Sequence, residues 1–184
     1  MSLETIVVGA TDGPTLTGAA RASCIPTASR IVLPNSFFYI GRAIRIAMSG
    51  RISCVITTPG TARLDICLGA LGTTVVYDTG ALNLNVVAKT TVPWTFETTL
   101  VCRAVGNGTA TTFFPVPWGF QSEAIVGSPL PSAGGAGTIV APVGTPAVGG
   151  GMDNTAASAL DVFFTQTVAT GSFTVHNYIV QVLN

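Results

Sequence analysis

The sequence predicts an all-β protein, and more specifically an antiparallel β-sandwich of the jelly-roll kind. Long runs alternate between apolar and polar residues, which is the pattern of a half-buried strand. Valine, threonine and isoleucine are abundant, as strands favour. No segment has a helical period of useful length, and turn signals recur at intervals typical of a sandwich. The chain of 184 residues is long enough for one domain with its own core.

The first half of the chain contains the clearest alternation. "RIVLPNSFFYI" is an apolar and aromatic run with a proline break. "AIRIAMSGRISCVITT" places Ile44 and Met48 on one face, and "TARLDICLGA" does the same with Leu64 and Leu68. The "TPG" of Thr58–Gly60 lies between these two runs, so we expect a hairpin turn there.

The second half continues the pattern. "TTVVYDTGALNLNVVAKT" predicts two short strands around an Asp-Thr-Gly turn, and "WTFETTLVCRAVGNGTATTFFPVPW" predicts a long strand, a Gly-Asn-Gly turn and a second strand. "ALDVFFTQTVATGSFTVHNYIVQVL" predicts two more strands around Ala169–Ser172, and "DNTAASAL" before them could form one short helical turn. The resulting eight to ten or so strands fit two stacked sheets.

A single sandwich domain is expected over 30–184, preceded by an N-terminal arm or extension over 1–29. Within the domain, residues 124–152 form a long loop that is rich in glycine and proline and has no charged residue. This loop also carries many aliphatic side chains, which a solvated linker does not. We therefore expect it to be held as extended chain and tight turns on a subunit interface.

The charged fraction is the most informative feature of the composition. Charged residues make up 9% of the chain, against roughly 25% in a typical soluble domain. The formal net charge is +0 and Lys89 is the single lysine. Because a neutral surface with few charges tends to associate, we expect much of the folded surface to face other protein.

Several classes of protein are disfavoured by the sequence. The chain has no run of about 20 apolar residues, no basic start before an apolar block and no basic stripe, so we expect neither a membrane span, nor secretion, nor nucleic-acid binding. Cys24, Cys54, Cys67 and Cys102 are far apart and form no CxxC pair, which disfavours zinc. In a reducing compartment they are expected to be free, buried core residues, and a disulfide between neighbouring strands is the alternative.

Residues that could carry catalysis are scarce. His176 is the only histidine, and no GxSxG nucleophile elbow accompanies it, so a surface or interface histidine is the preferred interpretation. The carboxylates are widely spaced, and pairing with arginines across strands is their expected use, with partners possible on another subunit. Arg63/Asp65 and Glu97/Arg103 lie on such strand-like runs. We expect a protein with no catalytic residue, no cofactor and no metal.

The candidate subunit-interface residues are apolar. Trp94 and Trp118 both follow a proline, in "VPWTF" and "VPWGF". Proline-locked apolar segments make rigid contacts, which favours an interface or core role for them. A carbohydrate platform that combines the two tryptophans with Tyr39, Phe113, Phe114 and Phe120 is the alternative. The full candidate interface set is Trp94, Trp118, Phe120, Leu130, Val140 and Val143.

Three blocks of the chain resemble structural proteins of tailed-bacteriophage virions, of the capsid cement or decoration type. They are "TTPGTARLDICLGA", "GALNLNVVAKTTVPWTFETTLVCRAVGNGTATTF" and "SEAIVGSPLPSAGG", and the resemblance runs over roughly residues 30 to 184. The resemblance implies a virion component without chemistry of its own, since no catalytic residue belongs to these blocks.

The expected function is therefore that of a capsid cement or decoration subunit, which binds the outer surface of the major capsid protein shell and stabilises it. It would be made in the host cytoplasm and reside on the capsid surface. The small number of charges predicts a homo-oligomer, and the resemblance favours a trimer. The alternative is a phage head-fibre or tail protein that binds a host surface glycan.

Overall fold

The computed structural model describes residues 3–55, 58–126, 137–144, 147–169 and 171–183. Within these residues the chain forms fourteen β-strands and one short 3-10 helix, Thr27–Ser29. The strands are β1 (Leu3–Val8), β2 (Ala22–Ser23), β3 (Ile31–Leu33), β4 (Ala43–Cys54), β5 (Thr61–Leu68), β6 (Thr74–Asp78), β7 (Leu82–Leu84), β8 (Lys89–Ala104), β9 (Thr112–Val116), β10 (Trp118–Ser122), β11 (Ile125–Val126), β12 (Thr138–Ala141), β13 (Ser158–Gln166) and β14 (Gly171–Leu183).

The strands form two antiparallel sheets that pack face to face, which confirms the predicted all-β sandwich. The first sheet has the order β1-β14-β4-β8-β10-β12, with β9 also paired to β8. The second sheet has the order β11-β7-β5-β13-β2, with β3 also paired to β13 and β6 to β5. The rings of Phe164 in the second sheet and Phe173 in the first stack with their centroids 4.0 Å apart, so the core lies between the layers.

Two of the places where the chain crosses between sheets are matched, from β4 to β5 and from β13 to β14. The pairing of β4 with β14 in one sheet is thereby matched by that of β5 with β13 in the other, and in these central strands the sandwich is jelly-roll-like. The hairpin predicted at Thr58–Gly60 is wrong, because β4 and β5 belong to opposite layers. Alternation reports which face of a strand is buried, and it carries no information about the neighbouring strand.

The hairpin predicted around Gly106–Gly108 is confirmed, since β8 and β9 pair from Thr99↔Val116 to Ala104↔Thr112. On β8 the alternating residues Phe96, Thr98, Leu100 and Cys102 are each at most 2% exposed, and Ala104 at the end of the same face is half-buried. β8 is the long central strand of the first sheet and is paired to β4, β9 and β10.

All four cysteines are free and buried, as predicted. Burial raises the pKa of each thiol, and for Cys67 it does so to about 11, with the Asp65 carboxylate adding to the effect. A thiol with a raised pKa carries little thiolate at neutral pH, so these side chains act as small core residues. In the part of the chain that the structure describes, no helix has the length and apolar character that a membrane crossing requires.

Residues 3–29, expected as an arm or extension, run along their own chain. β1 pairs with β14 at one edge of the first sheet, Leu16 bridges Phe173, and β2 pairs with β13 in the second sheet. The N-terminal segment therefore spans both layers and is fastened to the last two strands.

The described parts of the 124–152 loop also contact their own chain. β12 pairs with β10, and a Cβ added at Gly149, Gly150 or Gly151 would come within 2.5 Å of a backbone oxygen of Val76, Val75 or Thr109, respectively. Side chains cannot be accommodated at that distance, so glycine is required for this close approach. This accounts for part of the unusual composition of the loop.

Candidate functional site: the outer face of the first sheet

Most charged side chains are paired within the chain. Among the described residues, five ion pairs join Arg21 to Asp65, Arg30 to Asp161, Arg45 to Glu97, Arg63 to Asp78 and Lys89 to Glu123. They use ten of the sixteen charged residues. Pairing of arginines with carboxylates across strands is thus confirmed, although the partners differ from the sequence neighbours.

Two of these pairs lie where the N-terminal segment crosses the second sheet. Arg21 Nε donates to both oxygens of Asp65, at 3.1 and 3.0 Å, and its guanidinium lies 3.8 Å over the Phe163 ring. Ser23 Oγ donates to Asp161 at 2.6 Å. Both carboxylates are almost completely buried, so these contacts explain how the segment covers this part of the sheet.

Asp161 is the less well compensated of the two carboxylates. Its Oδ2 is 3.3 Å from Arg30 Nε, but neither atom makes a hydrogen bond, so this contact is one of charge alone. Burial raises the pKa of Asp161, and the Ser23 hydrogen bond and the Arg30 charge oppose that effect only in part. These contacts hold the N-terminal segment against the second sheet, and the buried group among them that can titrate is Asp161.

The candidate residues Trp94 and Phe120 belong to the core of their own chain, the other role that the sequence left open for Trp94. Each is 1% exposed. The Trp94 ring stacks on Phe120 and Phe173, with centroids 5.6 and 4.5 Å apart, and its Nε1 donates to the Thr174 carbonyl at 3.3 Å. Phe113 is buried as well, so the predicted carbohydrate platform does not form as one surface.

The other described members of the candidate set are at the surface. Val140 is 67% exposed, Trp118 56% and Val143 37%. Val140 on β12 is opposite Gly119, and Trp118 on β10 is opposite Ala141, so both residues lie on strands at one edge of the first sheet. Leu130 lies outside the described residues. The role of Trp118, Val140 and Val143 as subunit contacts stays a prediction.

His176 makes a polar contact to the N-terminal segment. Its Nδ1 is 2.9 Å from Asp12 Oδ1, and both side chains are partly exposed. Within the described residues no hydroxyl group is hydrogen-bonded to His176. The pair fastens the segment to β14 at a bulge, where the register shifts between Val175 and Asn177.

A cavity of about 370 Å³ lies on the outer face of the first sheet, beside Trp118. It lies across the neighbouring strands β14, β4, β8 and β10, which supply all of its lining residues. The side chain of Glu97 lines it and is held by Arg45, whose Nε and Nη2 donate to the two carboxylate oxygens at 2.7 Å each. The lining residues are Ala47, Met48, Ser49, Thr95, Phe96, Glu97, Trp118, Gly119, Gln121, Asn177 and Ile179.

Sequence reasoning singled out Trp118 but missed the cavity around it. Asn177 reaches the outer face because of the bulge in β14, which leaves His176 and Asn177 both exposed. A bulge of this kind has no reliable sequence signal. Gly119 has no side chain to fill the cavity beside Trp118. A Cβ added to Gly119 would be 3.9 Å from the nearest atom of a non-adjacent residue.

Among the described residues, no three His, Cys, Asp or Glu side chains are grouped as a metal site requires. Comparison with protein-family models, with curated proteins and with solved structures gives no match to this chain. The fold alone therefore defines its class, which is that of an antiparallel β-sandwich protein.

Proposed function

We propose that this protein is a non-enzymatic structural subunit of a virus particle, a cement or decoration protein on the outside of a tailed-bacteriophage capsid. The observation that carries the proposal is the internal pairing of charges. With ten of sixteen charged residues in ion pairs within the chain, few charges remain to keep copies apart.

Exposed apolar side chains supply the attraction. Val140 is exposed on the edge strand β12, and Val143 is exposed on the segment that follows it. Exposed apolar side chains close together at a sheet edge are typical of a protein contact. The proposed partners are other copies of the chain, forming a trimer that meets around β12, and the major capsid protein. Nucleic acid and membranes are not proposed as partners, because acids match bases in number and no basic stripe occurs.

The copy number in the particle tests this proposal. Quantitative mass spectrometry of purified particles of the virus that encodes the chain should find hundreds of copies, as expected of a subunit that covers a shell. Cryo-electron microscopy of the same particles should place the density on the outer capsid surface. Absence from the particle would overturn the proposal.

A fibre or tail protein that binds a host glycan is the second candidate. The cavity beside Trp118 is the observation that favours it. A few dozen copies or fewer, located at fibres or the tail, would support this second function over the first.

A further inference from the structure

The cavity beside Trp118 has the dimensions of a ligand site. Its floor crosses four neighbouring strands in the order β14-β4-β8-β10. With strands about 4.8 Å apart, the floor is about 14 Å wide. The volume of about 370 Å³ is within the range of pockets that bind small ligands. An elongated ligand could lie across the strands.

The polar side chains of the cavity are held in fixed directions, and their charges nearly cancel. Arg45 holds both oxygens of Glu97 and also donates from Nη1 to Gln181 Oε1 at 3.2 Å, so the carboxylate is fixed in direction. A carboxylate held in this way still has lone pairs for hydroxyl donors. Gln121 and Asn177 add exposed side-chain amides on opposite sides, each with a donor and an acceptor.

Trp118 supplies the apolar surface. The residue is 56% exposed and lines the cavity from β10. An exposed indole beside amides and a carboxylate suits a ligand with an apolar face and a rim of hydroxyls, which is the chemistry of a sugar ring. The Arg45–Glu97 pair balances the charge within the cavity, which favours a neutral sugar over an acidic one.

We propose that this cavity is a binding site for a neutral oligosaccharide. Trp118 stacks on one sugar ring, and Glu97, Gln121 and Asn177 receive the hydroxyl groups of the chain across the floor. The site is separate from the proposed assembly role, which rests on Val140 and Val143. A capsid subunit with such a site would attach the particle reversibly to cell-surface glycans.

Binding is tested by a printed array of neutral and sialylated glycans, followed by calorimetric titration with maltotriose, cellotriose, mannotriose and lactose. We expect saturable binding of at least one neutral saccharide. Trp118→Ala and Gly119→Val, which remove the stacking surface or fill the floor, should each weaken that binding by at least about tenfold. Val32→Ala, at an exposed valine outside the cavity, is the matched control and should bind as wild type does. Circular dichroism confirms that each variant is folded.

Two results would overturn the saccharide proposal: no saturable binding to any neutral saccharide, or binding that Trp118→Ala leaves unchanged. Light scattering on the same variants separates this failure from failure of the assembly proposal. We expect Trp118→Ala to keep the mass of wild type. If Trp118→Ala instead becomes a monomer, while wild type assembles and binds no saccharide, then Trp118 is a subunit contact, and only the saccharide proposal falls.

Discussion

Trp94 is at the centre of an aromatic stack that joins the two sheets. It lies between Phe120 and Phe173, and Phe173 in turn stacks on Phe164 of the second sheet. Trp118 follows the same Val-Pro dipeptide but keeps more than half of its surface exposed. Trp94 therefore stabilises the core, whereas Trp118 is available to a partner or ligand.

This difference predicts opposite effects of the same substitution. Trp94→Ala should lower the free energy of unfolding by about 3–5 kcal/mol, because it leaves a large cavity in a packed core. Trp118→Ala should change it by no more than about 0.5 kcal/mol, as is usual at the surface. Urea unfolding of both variants checks this, and similar losses in the two would contradict the assignment of core and surface.

Asp161 gives the fold a pH-dependent component. Because burial raises its folded-state pKa, the folded state binds a proton more tightly than the unfolded state does. This group therefore costs stability at neutral pH, and the cost is relieved as pH falls through the raised pKa. Asp161→Asn cannot titrate, so the stability of wild type relative to this variant should rise as pH is lowered from 7 toward 4.

Asp153 is the matched control for this measurement, with the opposite sign. Hydrogen bonds from Thr155 hold the pKa of Asp153 below its ordinary value, so its contribution is lost as pH falls. Relative to Asp153→Asn, wild type should lose stability on acidification. Denaturant unfolding at several pH values tests both directions, and parallel curves for wild type and Asp161→Asn would contradict the first.

At the scale of elements, the first sheet depends on close packing where β14, β4 and β8 meet. Gly50 of β4 is opposite Val175 on one side and Trp94 on the other. A Cβ added there would lie 1.9 Å from the Thr174 carbonyl oxygen and 3.0 Å from Trp94 Nε1. No side chain fits at that distance, so the glycine is needed by the sheet itself.

Gly50→Ala should therefore destabilise the protein strongly, by about 3 kcal/mol or more. Gly119→Ala is the matched control in the same sheet, since its added Cβ meets nothing closer than 3.9 Å. We expect this control to stay within about 0.5 kcal/mol of wild type. Thermal unfolding compares the two, and an unaffected Gly50→Ala would show that β4 and β14 are farther apart than described.

The strands were predictable from sequence, while their partners were not. Alternation in β4 identified the buried face correctly, because that strand buries one side. In β5 it identified only one of two buried faces, since Asp65 and Cys67 are buried as well as Leu64 and Leu68. The crossing from β4 to β5 was missed, because local turn residues are compatible with a hairpin and with a cross-sheet connection alike. The core position of Trp94 and the burial of Asp65 under Arg21 both depend on residues far along the chain. No local sequence pattern encodes such contacts.

At the scale of the whole molecule, the small number of charges has a structural explanation. Most charged residues form ion pairs within the chain, and two of these pairs hold residues 21–30 against the second sheet. The outer surface is left with exposed apolar side chains and little electrostatic repulsion between copies. A molecule of this kind is suited to an assembly whose contacts do not weaken with salt.

The proposed contact region around β12 can be tested directly. Val140→Asp together with Val143→Asp places two charges where we expect desolvated contact, so the double variant should fail to assemble while remaining folded. Val8→Asp together with Val32→Asp, at valines that are also well exposed but lie on β1 and β3, is the matched control and should assemble as wild type does. Assembly of both double variants would remove β12 from the interface.

The mass of the native protein in solution tests the central claim most directly. Multi-angle light scattering of the wild type, at low and at high salt, should give three times the chain mass of 18.7 kDa at both salt concentrations. Stability to salt is expected because the contact is apolar and has few ion pairs to screen. A mass of one chain at every concentration and salt would contradict the account of this protein as an assembling structural subunit.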